Sequence, residues 1–148
     1  MQKSTVHQTL TLSLLTKYDE LNMILAEASD GKSNDAKSSA GDKHEVGVAM
    51  VQLEQEKLGK QLLVIQDQLD LLAKIDLNKT HQRVSLGSLI LCNKQWYYFT
   101  VGLGMLKVMD EPVFCLNPQA PLGIALIGKS VQDEITFQGK KMVIERIF

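Results

Sequence analysis

"DLNKTHQ", residues 76–82, is where the spacing of hydrophobic residues changes from one period to another. Upstream of it the period is helical. Leu14, Tyr18, Leu21, Leu25 and Ala28 advance by four, three, four and three, which traces one face of an amphipathic helix. Val51, Leu58, Leu62, Ile65, Leu69 and Leu72 keep that rhythm, with Gln55 as the one polar break. Stripes this narrow suit a two-helix coiled coil, and the other faces are rich in Gln, Glu, Lys and Asp, as solvated helix surfaces are. Gly59 weakens the second helix by roughly 1 kcal/mol relative to Ala.

Between the two periodic runs lies "SDGKSNDAKSSAGDK", residues 29–43, without one large apolar side chain. It contains no Pro, so the first helix can continue into it, and Gly31 and Gly41 are the expected breaks. Two helices joined by such a tract fold back antiparallel, with the tract at the far tip. A second helix over 46–75 would be about 45 Å long at 1.5 Å per residue. A hairpin of that length reaches into something or pairs with something.

Downstream the period shortens. "RVSLGSLIL" (83–91), "QWYYFTVG" (95–102), "PVFCLN" (112–117), "DEITF" (133–137) and "KMVIERI" (141–147) are short, β-branched or aromatic, and bounded by Gly, Asn, Pro or Lys. "FQGKK" around Gly139 reads as a hairpin turn. "PQAPLGIALIG" (118–128) predicts one short helix after Pro121, closed by Gly128. The expectation is an α+β chain: a coiled-coil hairpin over 1–78, then an antiparallel sheet domain with one short helix over 79–148. The hairpin satisfies its own seam, so 79–148 is expected to fold alone.

Composition narrows the function classes. With a net charge of −1, 22% charged and 45% hydrophobic residues, the chain is an ordinary globular one, with no basic field to draw it to nucleic acid or membrane. Only 5% of residues are aromatic, which argues against stacking platforms for single-stranded bases. Cys92 and Cys115 form no C-x-x-C pattern and suit reduced thiols. No stretch is apolar enough to span a bilayer and the N-terminus lacks an apolar leader core, so a cytoplasmic monomer without membrane contact is expected.

Two acids stand out in "SSAGDKHEVGVAM" (38–50): Asp42 and Glu45, three positions apart. Asp-x-x-Glu just ahead of an apolar-periodic run is a helix-start pattern, with Asp42 as N-cap and Glu45 at N3. The same spacing puts two carboxylates on one side of a helical turn, where both can reach one cation. Both readings stay open, and they are compatible. His44 between the acids has no metal-ligating company, since His7 and His81 lie far away in sequence, and a Zn²⁺ site is not expected. Lys32, Lys37 and Lys43 alternate with Asp30, Asp35 and Asp42, as on a solvated tip. Trp96, Tyr97 and Tyr98 read as sheet core.

Two stretches carry a resemblance. Pro121-Leu122-Gly123-Ile124-Ala125-Leu126-Ile127-Gly128-Lys129, followed by Val131 and Asp133, resembles the S-P-[LI]-x-x-A-L-[LI]-G-K-x-x-G-D signature of the bacterial Gre transcript-cleavage factor family. Ala120 stands in place of the usual Ser and Gln132 in place of the usual Gly, and the closing "KKMVIERIF" resembles the family's final strand. At the tip, Gly41-Asp42-Lys43-His44-Glu45 matches the start of the family's G-D-x-x-E-N-A-E-Y, but Val46, Gly47, Val48 and Ala49 depart from its end. The resemblance implies an antiparallel coiled coil followed by an FKBP-like domain. It implies that RNA polymerase is the partner and that the coiled coil enters the polymerase secondary channel.

There, Asp42 and Glu45 would act as catalytic acids on a second Mg²⁺ beside the polymerase's own ion, meeting the RNA 3′ end only indirectly. Mg²⁺ takes oxygen ligands and is typically held by one or two carboxylates plus phosphate oxygens. A metal pair about 4 Å apart then stabilises the attacking and leaving oxygens. The chain would be no enzyme and hold no cofactor of its own; it would stimulate cleavage of backtracked transcripts by the polymerase. The globular domain would dock at the channel rim, with Lys129 as the candidate contact while Leu122, Leu126 and Ile127 serve the core. A prolyl-isomerase activity is not expected, because few aromatics are available to line a pocket. Two alternatives remain: a regulator that occupies the channel without cleavage, and a coiled-coil adaptor. The adaptor would show an apolar stripe on an outer helix face, for which Met23, Met50 and Leu53 are partial candidates.

Overall fold

The computed structural model of the chain describes the backbone of residues 1–35 and 41–148, and side chains outside 31–44. In order, the elements are α1 (Lys3–Asp35), α2 (Gly41–Ala73), β1 (Leu89–Cys92), β2 (Gln95–Phe99), β3 (Gly104–Val108), β4 (Glu111–Leu116), α3 (Pro121–Leu126), β5 (Glu134–Phe137) and β6 (Lys140–Ile147). The architecture is α+β. The chain divides into two compact units, Leu12–Leu69 and Met1–Thr11 together with Asp70–Phe148.

In the helical unit the expected seam is the one that is buried. Leu14, Leu58 and Ile65 are buried, while Tyr18, Leu21, Leu25, Ala28, Val51, Gln55, Leu62 and Leu69 are half-buried. With only residues 36–40 between them, α1 and α2 run antiparallel. The break expected at Gly31 does not occur, since α1 runs through it to Asp35, whereas α2 starts at Gly41 and covers Gly41–Ala73 rather than 46–75. One glycine costs roughly 1 kcal/mol in a helix interior, too little to stop a helix that gains a hydrogen bond with every residue added. The far end of α2 tightens instead: Lys74 and Ile75 donate to the carbonyls three residues back, Leu71 and Leu72.

The other unit is built on six strands in the order β3-β4-β2-β1-β6-β5. Three two-residue hairpin turns hold it, each with both central residues at positive φ: Asn93–Lys94, Met109–Asp110 and Gln138–Gly139. These are the mirror-image turns whose twist matches that of paired strands. The antiparallel expectation needs one amendment, because β2 and β4 pair in parallel, Trp96 opposite Val113 through Phe99 opposite Leu116. β3 was not foreseen, and it is what makes this pairing possible. The chain leaves β2, forms the outer strand β3, and returns as β4 between the two. The expected strand over 83–91 is also shorter. Only Leu89–Cys92 joins the sheet, and Arg83 forms an isolated bridge with Ser130.

Alternation along β2 separates the two sheet faces. Phe99 packs with Val84, Ile90, Cys92, Leu126, Ile135, Met142 and Ile144, and Tyr97, Leu122 and Ala125 close over that cluster. Tyr98 points the other way, fully buried, and its hydroxyl meets His7 of α1 at 2.8 Å. Val6, Leu10 and Leu72 are also fully buried in this unit, so the root of each long helix contributes to its core.

Candidate functional site

Asp42 and Glu45 both lie within α2, one helical turn apart. Helical geometry places positions three apart on neighbouring sides of the same face. Glu45 is exposed, and along α2 it stands about 42 Å from Ala73 at 1.5 Å per residue. Asp42's side chain and the N-cap of α2 lie outside the described residues, as do the side chains of His44, Lys32, Lys37 and Lys43. Asp42's own backbone is helical, so it stands inside the helix rather than ahead of it as an N-cap would. The departing residues Val46, Gly47, Val48 and Ala49 continue the helix, with Val46, Gly47 and Ala49 exposed and Val48 half-buried.

The Pro121–Lys129 stretch acts first as scaffold. α3 starts at Pro121 and buries Gly123 and Leu126. Gly123 is there because nothing larger fits: a Cβ would collide with the carbonyl oxygens of Asn117 and Pro118. Gly128 ends the segment at φ +76°, a left-handed conformation that suits glycine. Asp133 then closes the following turn, its carboxylate accepting from the Ser130 N–H at 2.7 Å. Leu122 and Leu126 serve the core as expected, but Ile127 does not: it is exposed, as are Ile124 and Val131. Ile127 follows the last helical residue, where the chain turns away from the cluster.

Lys129 is half-exposed, and its carbonyl accepts from the Val84 N–H at 2.8 Å. That bond draws in Arg83, whose guanidinium donates to the Gly128 carbonyl at 3.4 Å. Two cations 46 positions apart in sequence, Arg83 and Lys129, are therefore brought together beside the segment that carries the exposed Ile124, Ile127 and Val131. Arg83 escaped sequence reasoning because the pairing of residues 83–84 with 128–130 is a long-range contact. Ile124 and Ile127 were legible only as a three-residue spacing, which a buried face would show equally.

Among the described residues no other constellation competes. Cys92 and Cys115 are free and buried, and burial pushes their thiols up to about 11 and about 12, with Glu145 adding to the shift at Cys92. Trp96 donates to the Glu111 carboxylate at 2.9 Å and leans on Phe148, while Tyr97 stacks on Phe114; both rings are half-buried. Among the described residues no three His, Cys, Asp or Glu gather as a metal site, and no helix is long and apolar enough to cross a membrane. No protein-family model, no curated protein and no solved structure matches the chain.

Proposed function

We propose that the chain is an RNA polymerase-binding elongation factor of the Gre type. Its helical hairpin would enter the polymerase secondary channel and offer Asp42 and Glu45 for cleavage of backtracked transcripts. The observation that carries this reading is an exposed Glu45, one turn from Asp42, about 42 Å along a continuous helix from its other end. An acid pair needs such an arm to reach a buried reaction centre. Two further facts support the resemblance itself. Ala120 and Gln132, where the sequence departs from the signature, occupy an uncapped N-cap and a left-handed φ of +73°. Ser and Gly, the signature's residues, are the ones such positions favour.

Two carboxylates supply only part of the shell of a hard cation, so the ion would be shared with the polymerase rather than resident. Asp42 and Glu45 would hold Mg²⁺, which supplies charge stabilisation and an activated water when bound. The chain's own contribution is to aim two anionic oxygens and to anchor. Arg83 and Lys129, with Ile124, Ile127 and Val131, form the docking corner this reading assigns to the channel rim.

The test uses purified polymerase stalled in backtracked complexes. The chain should shorten the transcripts, while Asp42→Asn and Glu45→Gln should bind equally, melt equally and leave transcripts intact. If the parent competes for the channel but leaves transcripts whole, the non-cleaving regulator replaces this reading, in line with the altered residues 46–49. If it does not bind polymerase, the reading fails.

One observation favours the adaptor instead. Val46, Met50, Leu53 and Val64 of α2 are 56–67% exposed and follow a second heptad phase, away from the seam, with Lys57 and Lys60 between them. On α1, Leu12 and Met23 are each 64% exposed. A concentration-dependent dimer in sedimentation, dispersed by Leu53→Gln, would give this reading precedence.

A further inference from the structure

His7 and His81 both belong to the unit made of Met1–Thr11 and Asp70–Phe148. His7 Nδ1 lies 2.8 Å from Tyr98 Oη, and the two rings meet edge to face. Tyr98 is fully buried, so its hydroxyl must find an acceptor within the protein, and an unprotonated Nδ1 provides one. Once protonated, that nitrogen can only donate, and the phenol proton is left without its partner.

Around this bond the start of α1 is pinned at several points. Val6 and Leu10 are fully buried, and Lys3 Nζ donates to the Lys79 carbonyl at 2.6 Å. His81 stands beside this anchor, its Nδ1 2.7 Å from Ser85 Oγ. The charges here are mostly of one sign. Lys3 on α1 and Lys79 in the 76–82 segment both act on His81, and Asp76 acts on Lys3. On the sheet side, Tyr98 of β2 faces His7, and Cys115 of β4 acts on Tyr98. Both rings are half-buried, and a proton added to His81 enters a setting already occupied by two lysines.

We propose that the first eleven residues form a proton-released latch: neutral His7 holds the start of α1 on the sheet through Tyr98, and protonation of His7, and of His81 beside Lys3, frees it. Burial lowers the proton affinity of both rings, and at His81 Lys3 and Lys79 lower it further. The sign follows from linkage. The released state binds protons more readily, so as pH falls below the ordinary histidine value of about 6.5 the balance moves toward release; above it the latch is closed. Because α1 is one continuous helix from Lys3 to Asp35, the latch holds the root of the helix that goes on to form the hairpin.

Amide hydrogen exchange of the full chain at pH 7.5 and 5.0, corrected for intrinsic rates, tests this. Protection of residues 5–11 should fall by about tenfold or more at pH 5.0, while β1 and β2 stay protected. The double variant His7→Asn, His81→Asn should hold its protection constant between the two conditions. Equal protection of residues 5–11 at both pH values in the natural chain would overturn the proposal. So would a parallel loss in β1 and β2, or a variant that keeps the pH dependence. If the variant does not fold, ring titration of the natural chain by NMR decides. His7 and His81 midpoints below about 6.5, with Tyr98 signals sharing the His7 midpoint, support the latch, and midpoints at or above that value reject it.

Discussion

Ala120 and Gln132 each occupy a position whose geometry favours a different side chain. Ala120 is the N-cap of α3, extended at φ −66° and ψ 154°, with no side chain to accept from the first turn. Ser there should stabilise the fold by about 1 kcal/mol. Gln132 holds φ +73° while its N–H donates to the Ile144 carbonyl at 2.8 Å. A left-handed non-glycine residue costs about 1–2 kcal/mol, so Gln132→Gly should gain a net ~0.5–1 kcal/mol after the entropy glycine returns to the unfolded chain. Both gains should appear as higher urea midpoints at constant slope. An unchanged or lower midpoint would remove the physical argument for these two positions.

The thiols give a prediction of a different kind. Burial keeps Cys92 and Cys115 protonated up to about pH 11 and 12, so at pH 8 neither should react with a disulfide reagent until the chain unfolds. Unfolded thiols ionise near pH 9, so folding stability should fall as pH rises from about 9 toward 11. Fast labelling of the native chain at pH 8 would contradict their burial.

At the scale of elements, the helical seam was the easiest feature to read and should be the costliest to damage. Every residue of the two stripes is at least half-buried, because a 3.6-residue period survives whatever loop precedes it. Ile65→Ala should cost about 2–5 kcal/mol, whereas Leu53→Gln, 65% exposed, should stay within about 0.5 kcal/mol in a monomer. A large loss at Leu53 in thermal melts would reveal a partner on the outer face. The sheet was less legible. Residues 104–108, "GMLKV", begin with glycine and bury only Leu106 and Val108, as a short outer strand can, so little in their composition distinguishes them from a loop. The parallel β2–β4 pair was hidden for the same reason, since pairing order depends on an element the period does not reveal. Of the candidate site, Asp42 and Glu45 were legible as an i, i+3 pair within the sequence. Arg83 was not, because only a long-range pairing brings it to Lys129.

At the scale of the whole molecule, the change of period at residues 76–82 marks a change of secondary structure, which differs from the limit of what folds together. The sheet's compact unit includes Met1–Thr11 and begins again at Asp70, with Val6, Leu10 and Leu72 fully buried and His7 bonded to Tyr98. A fragment of 79–148 would lose all four, leaving the Tyr98 hydroxyl without its histidine and three apolar side chains missing from the core. Each missing core side chain is worth about 2–5 kcal/mol, and a domain of this size has only about 5–15 kcal/mol in total. The fragment, expected from sequence to fold alone, should therefore be largely unfolded or molten by circular dichroism and near-ultraviolet signals. The contrasting variant removes one heptad from each long helix, Asp19–Leu25 and Val51–Lys57, keeping both seams in phase and both helix roots in place. It should melt cooperatively with native near-ultraviolet signals, although its hairpin is shorter by about 10 Å. If the proposed polymerase role holds, the same variant should bind polymerase and fail to shorten transcripts, because the acids would fall short by that distance. If instead 79–148 melts cooperatively by itself, the helix roots are cover rather than core; release at His7 asks less of the sheet than this fragment does, because it leaves Leu72 and the rest of Asp70–Phe148 in place.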